Sequence, residues 1–216
     1  MKLIAATGNK HKLIEFETIT KDFGFELLPK SAVGLGDFDP EEPGETFAEN
    51  SLLKAKAICA RCGLPCIADD SGIVVDALGG APGVHSARYA GEHGDDAANR
   101  VKLLSELGDT PFEDRTGRFC SVITIVWPAG TAESDYPFFA SVTDDGFPYI
   151  QGTGYVEGHL SFEESGSNGF GYDPIFVPLG FSETFGILPA ETKNAISHRA
   201  NALLAVRSQL ERARLR

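Results

Sequence analysis

Two carboxylates follow an apolar run in Ile67-Ala68-Asp69-Asp70-Ser71-Gly72. A carboxylate is costly to desolvate without a partner, so a pair placed where a short strand would stop asks for a cation. Mg²⁺, with Mn²⁺ as a substitute, suits such a place. It takes one or two carboxylates and completes its shell with phosphate oxygens and water. A second doublet, Glu41-Glu42, sits in the loop stretch DFDPEEPGE and offers ligands of the same kind. The plainer alternative is an acidic turn beside a strand and a solvated loop.

Near the start, Thr7-Gly8-Asn9-Lys10-His11-Lys12 follows the apolar run Leu3-Ile4-Ala5-Ala6. A strand that turns into a helix here would aim free backbone N–H groups and the positive end of the helix dipole at an anion. Asn9 can cap, and Lys10 and Lys12 can add charge. The stretch is neither G-x-x-x-x-G-K-[ST] nor G-x-G-x-x-G, so alone it also describes an ordinary capped helix.

Two further constellations lie downstream. Gly169-Phe170-Gly171-Tyr172-Asp173-Pro174 interleaves aromatics with glycine, which lets rings and backbone approach a flat ligand. Otherwise its aromatics close a core. Ser197-His198-Arg199 places a fixed fork of donors beside an imidazole on adjacent helical residues, about 100° apart around the axis. His85 and Arg88, in GGAPGVHSARY, fit either a substrate loop or packing. G-x-S-x-G does not occur, which removes the support for a nucleophile-elbow hydrolase.

These residues need elements to position them. Residues 2–6 read as a buried strand, and Lys12 to about Asp22 as a helix with Leu13, Phe16 and Ile19 on one face. A second strand is expected at Phe25–Leu28. Thr46-Phe47-Ala48-Glu49 is a capping-box pattern that starts a helix ending before Gly63. Strands are expected at 66–68 and 73–75 on either side of Asp69–Gly72, and at 118–127, 136–142, 149–155 and 175–177. Helices are expected at 95–107 and from Ala190 to the C-terminus, the latter with Leu203, Val206 and Leu210 as its apolar stripe. Mixed crossover and hairpin strands predict an α/β fold with a mixed, twisted sheet and flanking helices. No linker splits the 216 residues, so one domain is expected over 1–216.

The net charge of −12 argues against polymeric nucleic acid as a partner. A single nucleotide remains compatible if the cations are concentrated in one place. No run of about 18 apolar residues suggests a membrane span, and the early break at Gly8 is too short for a signal sequence, so a cytoplasmic protein is expected. Cys59, Cys62 and Cys66 lack a nearby histidine and read as small buried residues rather than a zinc site.

Taken in order, these motifs resemble the inosine triphosphate pyrophosphatase (XTP/dITP diphosphatase) family from Leu3 to about Leu204. The likeness rests on Thr7-x-Asn9-x-x-Lys12, Glu41-Glu42-x-Gly44-x-Thr46-Phe47-x-Glu49-Asn50, Ala68–Gly72, Leu78–Gly83, Ser86–Tyr89, Gly169–Pro174 and Ser197–Arg199. The resemblance implies Mg²⁺-dependent cleavage of ITP, XTP and their deoxy forms to a monophosphate and pyrophosphate. The fold implied is ITPase-like, of the Maf/Ham type, with two lobes around a central cleft, and the assembly a homodimer. Thr7, Gly8, Asn9, Lys10, His11 and Lys12 would hold the phosphate chain, with Lys54 and Lys193 as further cations and Ser71 nearby. Asp70, Asp69 and an acid from Glu41 or Glu42 would bind the metal, and Asp70 would orient or deprotonate the attacking water. Phe170, Gly171, Tyr172, Asp173, His198 and Arg199 would hold the base. An Arg199 donor facing O6 would penalise adenine, whose amino group leaves two donors opposed; no residue accounts for the exclusion of guanine. The chain departs from compact relatives at about 128–152, where an inserted hairpin is expected. Rival readings are a Maf-like pyrophosphatase acting on pyrimidine nucleotides and a nucleotide sensor without turnover.

Overall fold

In a computed structural model, residues 1–92, 94–137 and 139–214 are described, without the side chains of residues 10, 11, 15, 18, 19 and 214. Lys10 and His11, as side-chain candidates, and Ile19 of the expected helix face therefore lie outside the described residues. The strands are β1 (Lys2–Ala5), β2 (Glu26–Pro29), β3 (Cys66–Val75), β4 (Thr116–Val126), β5 (Ser141–Val142), β6 (Pro148–Leu160) and β7 (Phe176–Pro178). They form one sheet in the order β2-β1-β3-β4-β6-β5, with β7 also on β6. β1 pairs parallel with β2 and β3, whereas β6 pairs antiparallel with β5 and β7. The mixed sheet is the one that the interleaved helix and hairpin patterns predict. The helices are α1 (Lys10–Thr20), α2 (Phe47–Cys62), α3 (Asp96–Leu107), α4 (Ala190–Ile196) and α5 (His198–Arg214).

The chain divides into two compact units, 1–70 with 122–153 and 201–216, and 71–121 with 154–200. In the first, Leu3, Phe16, Ile67, Ile123, Trp127 and the α5 stripe Leu203, Val206 and Leu210 bury together. A second cluster there joins Ile4, Ala55, Ile58, Cys59, Cys66 and Val126. The core of the other unit gathers Ile73, Leu103, Leu107, Phe119, Phe176 and Phe185. Arg115 is buried beside it, and its guanidinium donates to the carbonyls of Leu160 (2.9 Å), Gly108 (3.1 Å) and Ser161 (3.0 Å). The carbonyls at the ends of β6 and α3 and of Ser161 are thus satisfied by one side chain, a role no spacing rule announces.

Three expectations are corrected. First, β3 runs unbroken through Asp69-Asp70-Ser71-Gly72, so the two acids lie within a strand and not at its end. Lysines from helices neutralise them there, and Gly72 is required for close approach rather than for a turn. A Cβ at Gly72 would stand 2.3 Å from Ser86 Oγ and 2.6 Å from Gly83 O. Second, the final helix is two helices, because Ser197 adopts φ −64°, ψ 155°. Its hydroxyl accepts from Ala200 N at 3.2 Å and caps α5. Third, of the strand expected at 136–142 only Ser141–Val142 forms. Pro137 cannot donate to a ladder, and its carbonyl instead accepts from Ala140 N in a turn. Phe138 lies outside the described residues. Within 128–152, β5 and the start of β6 form a short hairpin, closed at Asp144-Asp145-Gly146 with Gly146 at φ 85°.

Among the described residues no disulfide forms, and Cys59 and Cys66 are buried on α2 and β3. Hydrogen bonding to Cys59 and burial push the Cys66 thiol up, so it stays protonated. Among the described residues no helix is long and apolar enough to cross a membrane.

Candidate active site

The turn at the end of β1 is built from its own side chains. Thr7 Oγ1 accepts from Asn9 N at 3.1 Å, and Asn9 Oδ1 accepts from Lys12 N at 3.3 Å, starting α1. Gly8 is exposed, and a Cβ there would meet nothing within 4 Å. Among the described residues the turn is open at this point. Lys12 is not a freely solvated lysine: its Nζ stands 2.8 Å from Asp69 Oδ2, a carboxylate with no solvent exposure.

α2 supplies the second cation. Thr46 and Glu49 make the expected capping box. Asn50, fully buried, accepts from Gly44 N at 2.8 Å and donates to Gly44 O at 3.2 Å. A Cβ at Gly44 would come within 2.6 Å of Asn50 Oδ1, so the contact requires glycine. This clasp lays residues 42–44 against the helix and brings Glu42 to Lys54, one turn beyond Asn50. Lys54 Nζ lies 3.3 Å from Glu42 Oε1 and 2.7 Å from Asp70 Oδ1. Glu41, by contrast, is exposed. Asn50 and Gly44 do their work through the backbone of a loop, which the motif alone does not reveal.

Electrostatically the cluster is tense. Burial lowers the Lys54 ammonium, but Asp70, Glu42 and Asp69 outweigh it and hold the pKa above the ordinary lysine value. Burial pushes Asp70 up, Glu42 and Asp69 add to the rise, and Lys54 only partly opposes it. For Asp70 burial is the deciding cause, since a salt bridge alone would pull the acid down. Among the described residues Asp70 Oδ2 is buried with no hydrogen-bond partner.

That orphaned oxygen is the test of whether a divalent cation fits. Among the described residues no three His, Cys, Asp or Glu side chains converge as a complete metal cage. Mg²⁺ does not need one, since it binds through one or two carboxylates plus substrate phosphates. One unsatisfied carboxylate oxygen, with Glu42 and Asp69 on the neighbouring lysines, fits that donor set.

The other unit holds the second group of candidates. Lys193 Nζ pairs with Asp173 Oδ2, which also accepts from Phe170 N at 2.7 Å. The same ammonium lies 4.9 Å above the Phe170 ring, and the Arg199 guanidinium 5.9 Å from it. Phe170 is 46% exposed, so its ring has area for a flat ligand. Arg199 Nη2 also donates to Ser71 Oγ at 3.3 Å. His198 is buried and stacks on Phe119 at 4.9 Å with 15° between planes.

Tyr172 is placed differently from expectation. It is 5% exposed, and its hydroxyl donates to Ser86 O at 2.8 Å. Its ring belongs to the core, leaving only Phe170 of the two aromatics as a stacking surface. Asp173 is buried too and acts on Phe170 and Lys193 from behind. A Cβ at Gly169 would sit 2.0 Å from Asp173 Oδ2, which explains the glycine beside Phe170.

The model of the Ham1 family matches residues 3–209. A Haemophilus influenzae protein named dITP/XTP pyrophosphatase is 46% identical over 209 residues, covering 97% of this chain and 98% of its own. One of the same name from Oceanobacillus iheyensis is 42% identical over 202 residues, with 94% of each covered. The solved structure of the Staphylococcus aureus Ham1 protein superposes with a TM-score of 0.83 at 38% identity, covering 98% of both chains. A nucleoside-triphosphatase / dITP/XTP pyrophosphatase from Mycobacterium abscessus gives a TM-score of 0.74 at 40% identity, over 95% of this chain and 97% of that one. This chain belongs to the Ham1 family.

Proposed function

We propose that the protein hydrolyses purine nucleoside triphosphates outside the standard set (dITP, ITP, XTP and dXTP) to the nucleoside monophosphate and pyrophosphate. The observation that carries the reading is Asp70: a carboxylate with a raised pKa, gripped by Lys54 on one oxygen and unsatisfied on the other. Relatives named for dITP and XTP pyrophosphatase activity support the choice of substrate class.

The triphosphate brings about four negative charges, more than one lysine can balance. Lys12 and Lys54, freed from their carboxylates, would meet phosphate oxygens, and the capped start of α1 would add backbone N–H groups. Mg²⁺, held by Asp70 with Glu42 or Asp69, would neutralise phosphate charge and lower the pKa of a water. Asp70 would orient the attacking water at the α-phosphorus and take its proton, a task suited to a carboxylate above its ordinary pKa. Phe170 would stack on the base, with Lys193, Arg199 and His198 around its edge. Arg199 as donor to O6 would favour hypoxanthine and xanthine over adenine. The enzyme would act as a homodimer in the cytoplasm, where these nucleotides arise.

The test is pyrophosphate release by purified protein with dITP, XTP, GTP, ATP and dTTP, with and without Mg²⁺, beside Asp70→Asn. Rapid Mg²⁺-dependent turnover of dITP and XTP, little with ATP or GTP, and loss in the variant are expected. Preference for dTTP would move the chain to pyrimidine nucleotides. Tight dITP binding without turnover would leave a sensor.

A further inference from the structure

A glycine-rich loop carries Phe170, and its pose is set from α3. Asp96 Oδ2 accepts from Gly171 N at 2.7 Å, and Arg100 Nη1 donates to Gly171 O at 2.8 Å. Both backbone polar groups of one residue are thus taken by one helix. Residues 96 and 100 are one turn apart and share a face, which continues into the core as Leu103 and Leu107. Arg100 is itself braced, with Nε 2.9 Å from Glu164 Oε1. Gly171 has φ 60°, the left-handed region that glycine enters without strain. The loop therefore turns at the residue being gripped, next to the ring.

We propose that Asp96 and Arg100 are positioning residues for base selection: they set the pose of Phe170 without touching the triphosphate. The inference rests on the reading of residues 170–173 as base-holding. Hydrogen bonds that involve a charged group are the strong ones, and removing one partner leaves the other unmet. A loop released at Gly171 keeps its aromatic ring but loses the ring's orientation, so base binding and base discrimination suffer first. A merely structural role for α3 would instead weaken every property together.

The experiment compares Asp96→Ala, Arg100→Ala, Arg100→Lys and Asp96→Asn with the parent. It measures steady-state kinetics on dITP and dATP, inhibition by inorganic tripolyphosphate, and thermal melting. KM for dITP should rise about tenfold in each alanine variant, from loss of one charged hydrogen bond. kcat should change less than about twofold, the pattern of lost binding rather than lost chemistry. The dITP-over-dATP ratio of kcat/KM should fall, and tripolyphosphate, which has no base, should inhibit as before. Asp96→Asn keeps an acceptor in place and should restore most of the parent's KM. An unchanged KM and ratio would overturn the proposal, as would an equal loss of tripolyphosphate binding. If the alanine variants do not fold, Arg100→Lys decides: it should raise KM for dITP several-fold, and parental values would sink the idea. Failure of the parent to turn over dITP would instead count against the proposed function and is read first.

Discussion

Lys54 Nζ lies 2.7 Å from one oxygen of Asp70, while the other oxygen of that carboxylate is buried with nothing to accept from among the described residues. The pair therefore satisfies the lysine and leaves the acid half satisfied. Folding tolerates such an arrangement when the unsatisfied oxygen is needed for something else. Its signature should be visible without any substrate.

Asp70 binds its proton more tightly when folded than when unfolded, because burial raises its pKa. Stability tied to its neutral form is complete below the ordinary aspartate value of 3.8 and is lost as pH rises through the higher folded value. Asp70→Asn cannot ionise, and Lys54 stays charged throughout this range. The stability of the parent minus that of Asp70→Asn should therefore decline as pH climbs from about 4 towards neutrality. Urea melts at a series of pH values would check it; a difference that grows with pH would refute the raised pKa.

Removing Lys54 leaves the Asp70 and Glu42 carboxylates facing each other, with side-chain exposures of only 10% and 27%. Lys54→Met should destabilise by about 3 kcal/mol, the scale for breaking a largely buried pair. Lys54→Arg, which keeps the charge, should lose less. Chemical denaturation measures both, and equal stability of Lys54→Met and the parent would mean that the pair is in effect solvated.

Gly8 and Gly72 should separate binding from packing. Gly8→Ala introduces a Cβ into open space, so stability should stay within about 0.5 kcal/mol. If a phosphate approaches that turn, KM for dITP should nonetheless rise. Gly72→Ala drives a Cβ against Ser86 Oγ and the Gly83 carbonyl, and should cost about 1–3 kcal/mol as an overpacked site does. Parental stability of Gly72→Ala would contradict the close approach.

Phe170→Ala removes a ring that is nearly half exposed, so the melting temperature should hardly move. Stacking on a base is worth about 1–3 kcal/mol, and dITP binding should weaken by at least several-fold while tripolyphosphate inhibition is unaffected. Calorimetric titration with each ligand distinguishes the two. Parental dITP affinity would remove Phe170 from the base site.

What could be read from the sequence was mostly local. Thr46 and Glu49 lie three residues apart and bond to each other's backbone, so the start of α2 was legible to the residue. The acids of Asp69-Asp70 were recognisable as chemistry, but their place inside β3 was not, because Lys12 and Lys54, which make that tolerable, come from two helices. Pro137 was a visible warning against a strand, and Ser197 a visible cap, yet each was outvoted by the apolar pattern around it. Tyr172 and Phe170 look alike in the sequence; only the Ser86 carbonyl decides which faces inward. Asp96 and Arg100 were invisible, since their partner is the backbone of a glycine 75 and 71 residues away.

The clasp between Gly44 and Asn50 makes the chain between Glu42 and Lys54 a ruler. Glu42 reaches the ammonium only because the stretch after it is closed at Gly44 and then wound into helix from Phe47. One residue inserted at 43–45 would slide the acid off its mark while every side chain stayed the same. Glu41, facing solvent, can change its identity freely. Through this segment, length is held as tightly as the identities of Glu42, Gly44 and Asn50.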